Sequence, residues 1–135
     1  MKTRLAVAVL LLAAVPLLAH HSYRAEYDLN QPVTITGVVA KVEWMNPHGK
    51  YFIDATNENG QVIHCEVETV SPNVLLRRGW TRNSIAMEAR VTVSAYRAKK
   101  ESNLAFAGRF TLADGEFVNM EGPDFPDPFD LPQKQ

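Results

Sequence analysis

Two turn signals divide residues 33–69 into three extended stretches, and this punctuation constrains the fold more than any other feature. Val33, Ile35, Gly37, Val39 and Lys41 alternate with Thr34, Thr36, Val38, Ala40 and Val42. Neither set is wholly apolar, but the β-branched content predicts a strand that runs on through Glu43 and Trp44. Gly37 within it predicts a bulge or a sharp bend. The stretch Met45-Asn46-Pro47-His48-Gly49 then supplies turn chemistry. A second strand is expected over Lys50 to Thr56, with Tyr51, Ile53 and Ala55 on one face and Phe52 and Asp54 on the other. Asn57-Glu58-Asn59-Gly60 reads as a tight hairpin, because Asn-Gly tolerates positive φ angles. The third strand, residues 61 to about 69, places Ile63, Cys65 and Val67 on a buried face. His64, Glu66 and Glu68 take the opposite face.

A helix follows. Ser71 is an N-cap, and Pro72 occupies the first helical position, where its missing N–H costs nothing. Val74, Leu75 and Leu76 provide an apolar stripe. Arg77 and Arg78 complement the helix dipole, and Gly79 ends the element. Two turns are short, so packing must hold them. Residues 89–95 (Val91 and Val93 inward) and 104–112 are a fourth and a fifth strand. Asp114-Gly115 marks a turn, and residues 116–120 return as a short strand. Upstream, residues 20–31 are an extended arm or a short turn of helix, with Tyr23 and Tyr27 four apart. The segment 121–135 holds Pro123, Pro126, Pro128 and Pro132 among aspartates and is expected to be disordered. A three-strand meander, a short helix and two more strands is the order of a small OB-like five-stranded Greek-key barrel, all-β with one short helix.

The beginning of the chain stands apart from this domain, which is assigned to residues 20–120. Lys2 and Arg4 precede an almost wholly apolar run of 14 residues, 5–18. A membrane span needs roughly 20. A basic start, a short apolar run and the small residue Ala19 describe a signal peptide over residues 1–19, although Leu17 is larger than usual at its position. The alternative is an uncleaved N-terminal anchor. Cleavage after Ala19 predicts a periplasmic or secreted protein with no stable membrane insertion. Removing Lys2 and Arg4 takes the 14 basic side chains to 12, against 15 acidic, a net charge of −3. That balance and the expected export argue against nucleic acid as a partner. The single cysteine, Cys65, cannot close a disulfide within the chain.

The stretches Ala19-His20-His21-Ser22, Glu43-Trp44-Met45-Asn46-Pro47-His48 and Ser71-Pro72-Asn73-Val74-Leu75-Leu76-Arg77-Arg78-Gly79-Trp80 resemble a bacterial family of small exported proteins known as a numbered domain of unknown function. The resemblance covers roughly residues 20 to 118. It implies an exported OB-like domain with no assigned activity. That family usually carries a tryptophan near the position of Cys65, so any role of this thiol would be peculiar to this chain.

The candidate chemistry rests on histidine. If cleavage frees the amine of His20, that residue chelates through its amine and its imidazole. A further imidazole then completes a T-shaped nitrogen site suited to Cu(II). His20, His21 and His48 are therefore the candidate metal ligands, with copper as the metal. The competing reading makes His20 and His21 a polar start and His48 a turn residue. His64 beside Glu66 and Glu68 is a weaker metal patch, more often a solvated face. Cys65 reads as a core residue. Neither a nucleophile with a base in reach nor a phosphate loop is evident, so an enzyme is not expected. The alternative function is a metal-free periplasmic ligand- or protein-binding module. Its candidate surface is Trp44, Arg77, Arg78 and Trp80, with Tyr51, Arg82 and Tyr96. Against it, the two tryptophans close the ends of the core, and the arginines are solvated or pair with Glu43 and Glu68.

Overall fold

The computed structural model describes residues 23–120. Its order is α1 (Tyr23–Glu26), β1 (Tyr27–Glu43), β2 (Lys50–Thr56), β3 (Val62–Glu68), α2 (Pro72–Arg77), β4 (Arg90–Ala98), β5 (Leu104–Leu112) and β6 (Phe117–Asn119). The protein is mostly β, as the sequence predicts, with a second short helix and a sixth short strand. The sheet runs β3-β2-β1-β4-β5-β6 and is antiparallel throughout those neighbours. A parallel pairing of Glu66–Glu68 with Leu104–Phe106 joins β3 to β5. The hydrogen bonds thus form a ring through five strands, with β6 outside it. Val39, Ile53, Val67, Val93, Phe106 and Phe110 fill the ring with no accessible surface. Leu75 of α2 joins the same core.

β1 is longer than its sequence pattern suggests. It begins at Tyr27, and its pairing with β4 is irregular between Tyr27 and Pro32, so the proline sits where the ladder is already interrupted. Its first half pairs with β4 and its second half with β2. The bulge expected at Gly37 lies instead between Val39 and Lys41. Ala40 is the extra residue there, and it reverses the inward phase. Val39 is buried before it, and Val42 is buried after it while Lys41 is exposed. This reversal explains why neither alternating set of β1 is wholly apolar. Gly37 is required for another reason: a Cβ would collide with the Asp54 carbonyl and lie 2.8 Å from Cγ2 of Ile53.

The β2–β3 connection is wider than a two-residue turn. Asn57 N–H donates to the Gln61 carbonyl (2.9 Å), and the Asn57 side-chain oxygen accepts from the N–H groups of Asn59 and Gln61. Only Gly60 of that stretch has positive φ, at 77°. α2 follows its sequence signals. The Ser71 side chain accepts from Val74 N–H, Pro72 is in the first turn, and Gly79 at φ 85° closes the end. The three apolar residues do not share one face, however: Leu75 is buried, Val74 is half-buried and Leu76 is exposed. Consecutive helical residues cannot face the same way. β4 extends three residues beyond expectation, to Ala98. No described helix is long and apolar enough to cross a membrane.

Candidate functional site

The loop between β1 and β2 carries His48. Asn46-Pro47 is a cis peptide bond. Gly49, next to His48, is buried and held from β3's end: Thr69 donates its N–H to the Gly49 carbonyl (2.9 Å), while its hydroxyl, 3.3 Å from the same oxygen, lies nearer the Val70 carbonyl at 2.9 Å. A Cβ on Gly49 would lie 2.7 Å from Oγ1 of Thr69, so the small residue lets this clamp close. The backbone beside His48 is thereby fixed to the sheet.

The imidazole is fixed from the other side by α1. The Tyr23 hydroxyl lies 2.9 Å from Nδ1 of His48, and the two rings meet edge-on at 5.1 Å between centroids. Tyr23 also packs on Phe106 of β5 at 4.6 Å, and Tyr27 packs on the same ring at 5.5 Å. Two bonds from β4's end hold α1 down. Lys99 N–H donates to the Glu26 carbonyl (2.9 Å), and its ammonium donates to the Arg24 carbonyl (2.6 Å).

Beneath these rings lies a charged cluster. The Tyr27 hydroxyl donates to Oε2 of Glu68 at 2.7 Å, and Lys50 lies 3.4 Å from Oε1 of the same carboxylate. Lys50 also pairs with Glu66. Burial raises the pKa of Tyr23, helped by the nearby Glu68 charge. Burial raises that of Tyr27 further, helped by its bond to Glu68. The bond to Glu66 raises that of Lys50 against the opposing effect of burial. Both phenols therefore keep their protons at neutral pH. This end of the ring can present an imidazole held by a neutral hydroxyl.

The other expected residues lie elsewhere. His20 and His21 lie outside the described residues, as do the segment read as a signal peptide and the one read as a disordered tail. Among the described residues no group of three or more His, Cys, Asp or Glu side chains could hold a metal ion. The His64 patch in particular does not form: the ring, 81 % exposed, pairs with Asp54 at 2.7 Å, while Glu66 and Glu68 turn to Lys50. Tyr51 and Tyr96 are not surface groups but fully buried, because each points into the ring. Trp44 and Trp80 are half-buried against the core. Arg77 and Arg78 are exposed, and Arg78 reaches the Asn119 carbonyl at 3.4 Å. Glu43 and Glu68 pair with lysines, Lys41 and Lys50, rather than with these arginines. Cys65 is half-buried rather than fully in the core, and burial raises its pKa. Sequence reasoning missed Tyr23 as the partner of His48, and missed the Tyr27–Glu68–Lys50 cluster. The Tyr23/Tyr27 spacing was visible, but Tyr27 already belongs to β1, so helical spacing says nothing about where its ring goes.

A protein-family model described as "Family of unknown function (DUF6152)" matches residues 8–106. Neither a curated protein nor a solved structure matches the chain.

Proposed function

The chain belongs to the DUF6152 family, whose function is unknown, and from that premise we propose that it is an exported binding protein that holds Cu(II) at the His48 end of the ring. The ligands are the amine and imidazole of His20, freed by cleavage after Ala19, and the imidazole of His48. His21 is the nearby substitute should cleavage leave a residue ahead of His20. Three nitrogens in one plane suit Cu(II), and the remaining position stays open.

The observation that carries this reading is the contact of Tyr23 with His48. Tyr23 is three residues after His20, and three residues span at most about 10 Å. The arm that docks on His48 is thus the arm that begins with the candidate chelate. Among the described residues Nε2 of His48 makes no hydrogen bond, which leaves a nitrogen for a metal. The reading is one of binding, not catalysis.

The test is a Cu(II) titration of the mature protein, its N-terminus confirmed by mass spectrometry. One equivalent should bind, with nitrogen hyperfine structure in the electron paramagnetic resonance spectrum. His20→Ala and His48→Ala should each weaken uptake strongly. If the wild type takes up no more Cu(II) than His48→Ala, the metal reading fails. The metal-free binding module is then the surviving function, and a pull-down from periplasmic extract should start from the Trp44 and Arg77 surfaces.

A further inference from the structure

We propose that the cleft between the first half of β1, the first half of β3 and the β4–β5 connection binds a small aliphatic carboxylate: Arg97 takes the charged head, and Ile35, Ile63 and Cys65 take the chain. The proposal is independent of the copper reading, because neither His48 nor Tyr23 lines this cleft.

The cleft follows from the strand pairing. β3 meets β5 only over Glu66–Glu68, so among the described strands none flanks residues 62–65 on that side. β1 before Gly37 pairs with β4 alone, and β2 ends at Thr56. The side chains there still belong to the inner face. Val93 opposite Ile35 and Ile53 opposite Cys65 are fully buried, and directly opposed residues share one face of a sheet. Ile63, two residues before Cys65, takes the same face. All three are nonetheless only half-buried. What remains is a cleft of about 310 Å³, at the lower end of the range for small-molecule sites. Its inner-face aliphatic surface is wet, and covering it with hydrocarbon is favourable.

Arg97 sets the class of ligand. It is the one charged side chain among the described residues that line the cleft. Its Nη1 donates to the Ser102 carbonyl at 2.8 Å, which holds the guanidinium on the β4–β5 connection. A guanidinium has five N–H donors, and among the described residues this one forms no ion pair. Asp54, beside the cleft residue Ala55, pairs instead with His64 at 2.7 Å. A planar fork with donors to spare matches a carboxylate. A single cation in a chain of net negative charge suits a monoanion better than a phosphate dianion. The apolar wall then requires that the carboxylate carry a hydrocarbon chain.

Titration of the metal-free mature protein with sodium hexanoate, read by ¹H–¹⁵N correlation NMR, tests this. Amides of residues 34–36, 63–65 and 103 should shift saturably. Hexan-1-ol has the same chain without the charge and should bind about 10-fold more weakly, as should hexanoate to Arg97→Gln. Arg97→Lys, which keeps the charge, should lose less. In parallel, hexanoate should slow the alkylation of Cys65 by iodoacetamide at mildly alkaline pH, and Arg97→Gln should need a higher concentration for the same protection. No saturable shift at these amides up to about 10 mM hexanoate overturns the proposal. So do equal affinities for hexanoate and hexan-1-ol, or an Arg97→Gln protein that binds hexanoate as tightly as the wild type. Should Arg97→Gln fail to fold, the comparison of acid and alcohol on the wild type alone decides.

Discussion

The carbonyl oxygens of Arg24 and Glu26 both accept hydrogen bonds from Lys99, one from its ammonium and one from its backbone N–H. A single residue at β4's end therefore secures a helix of only four residues, which is too short to persist by itself. The position of Tyr23 over His48 depends on that anchorage.

Lys99→Met should loosen α1 without unfolding the ring. The ammonium bond is lost, while the backbone bond and the Tyr23–Phe106 contact remain. Amide hydrogen exchange at residues 23–26 should speed up several-fold. The change in global stability in urea should stay within about 0.5 kcal/mol, as expected for an exposed side chain. Exchange at α1 identical to wild type would show that the Lys99 ammonium does not secure the arm.

Gly37→Ala should destabilise the ring by about 1–3 kcal/mol, the usual cost of forcing extra volume into a packed interior. The added methyl would meet the Asp54 backbone and Ile53, neither of which is a flexible side-chain end. Gly60→Ala is the control. Nothing lies within 4 Å of its Cβ position, but its φ of +77° disfavours any side chain, so it should cost only about 1 kcal/mol. Chemical denaturation of the two variants measures the difference. Equal costs would mean that backbone conformation, not the β1–β2 approach, governs position 37.

Alkaline pH should destabilise the protein through its buried phenols. Burial lifts Tyr51 from 10.0 up to about 12, and burial with the Glu68 bond lifts Tyr27 as well. Lys50 is shifted in the same direction by its bond to Glu66. For each group the folded state holds its proton to a higher pH than the unfolded chain. The stabilisation is thus complete below about pH 10 and disappears as pH rises through the folded-state values. The urea midpoint should fall between pH 9 and pH 11.5, and Tyr51→Phe should fall less. A wild-type midpoint that is flat over this interval would remove the linkage.

The limits of sequence reading show at particular residues. β2 was legible to the residue because its alternation is uninterrupted, and β5 kept its expected bounds although its pairing with β4 shifts register at Gly108. β1 was not, because Ala40 inserts one residue and exchanges the two faces partway along the strand. Tyr51 and Tyr96 looked like candidate surface groups, since a tyrosine is as much at home in a core as at an interface. The histidine at position 48 was singled out from its loop. Its partner Tyr23 is 25 residues away in sequence, and nothing in either local pattern links the two.

The sequence by itself determined the elements whose signals are local. α2 is one, with the Ser71 cap, Pro72 in the first turn and Gly79 at the end, because capping and left-handed backbone are properties of a few adjacent residues. The mostly-β character is another, because alternation and turn residues write it along the chain. Only the tertiary structure decided that β3 and β5 pair in parallel to close the ring, that the bulge falls at Ala40, and that α1 lies across the ring's end with Tyr23 on His48. Those features join segments distant in sequence. Each follows from which surfaces can be buried together once the whole sheet has formed, and no window of neighbouring residues carries that information.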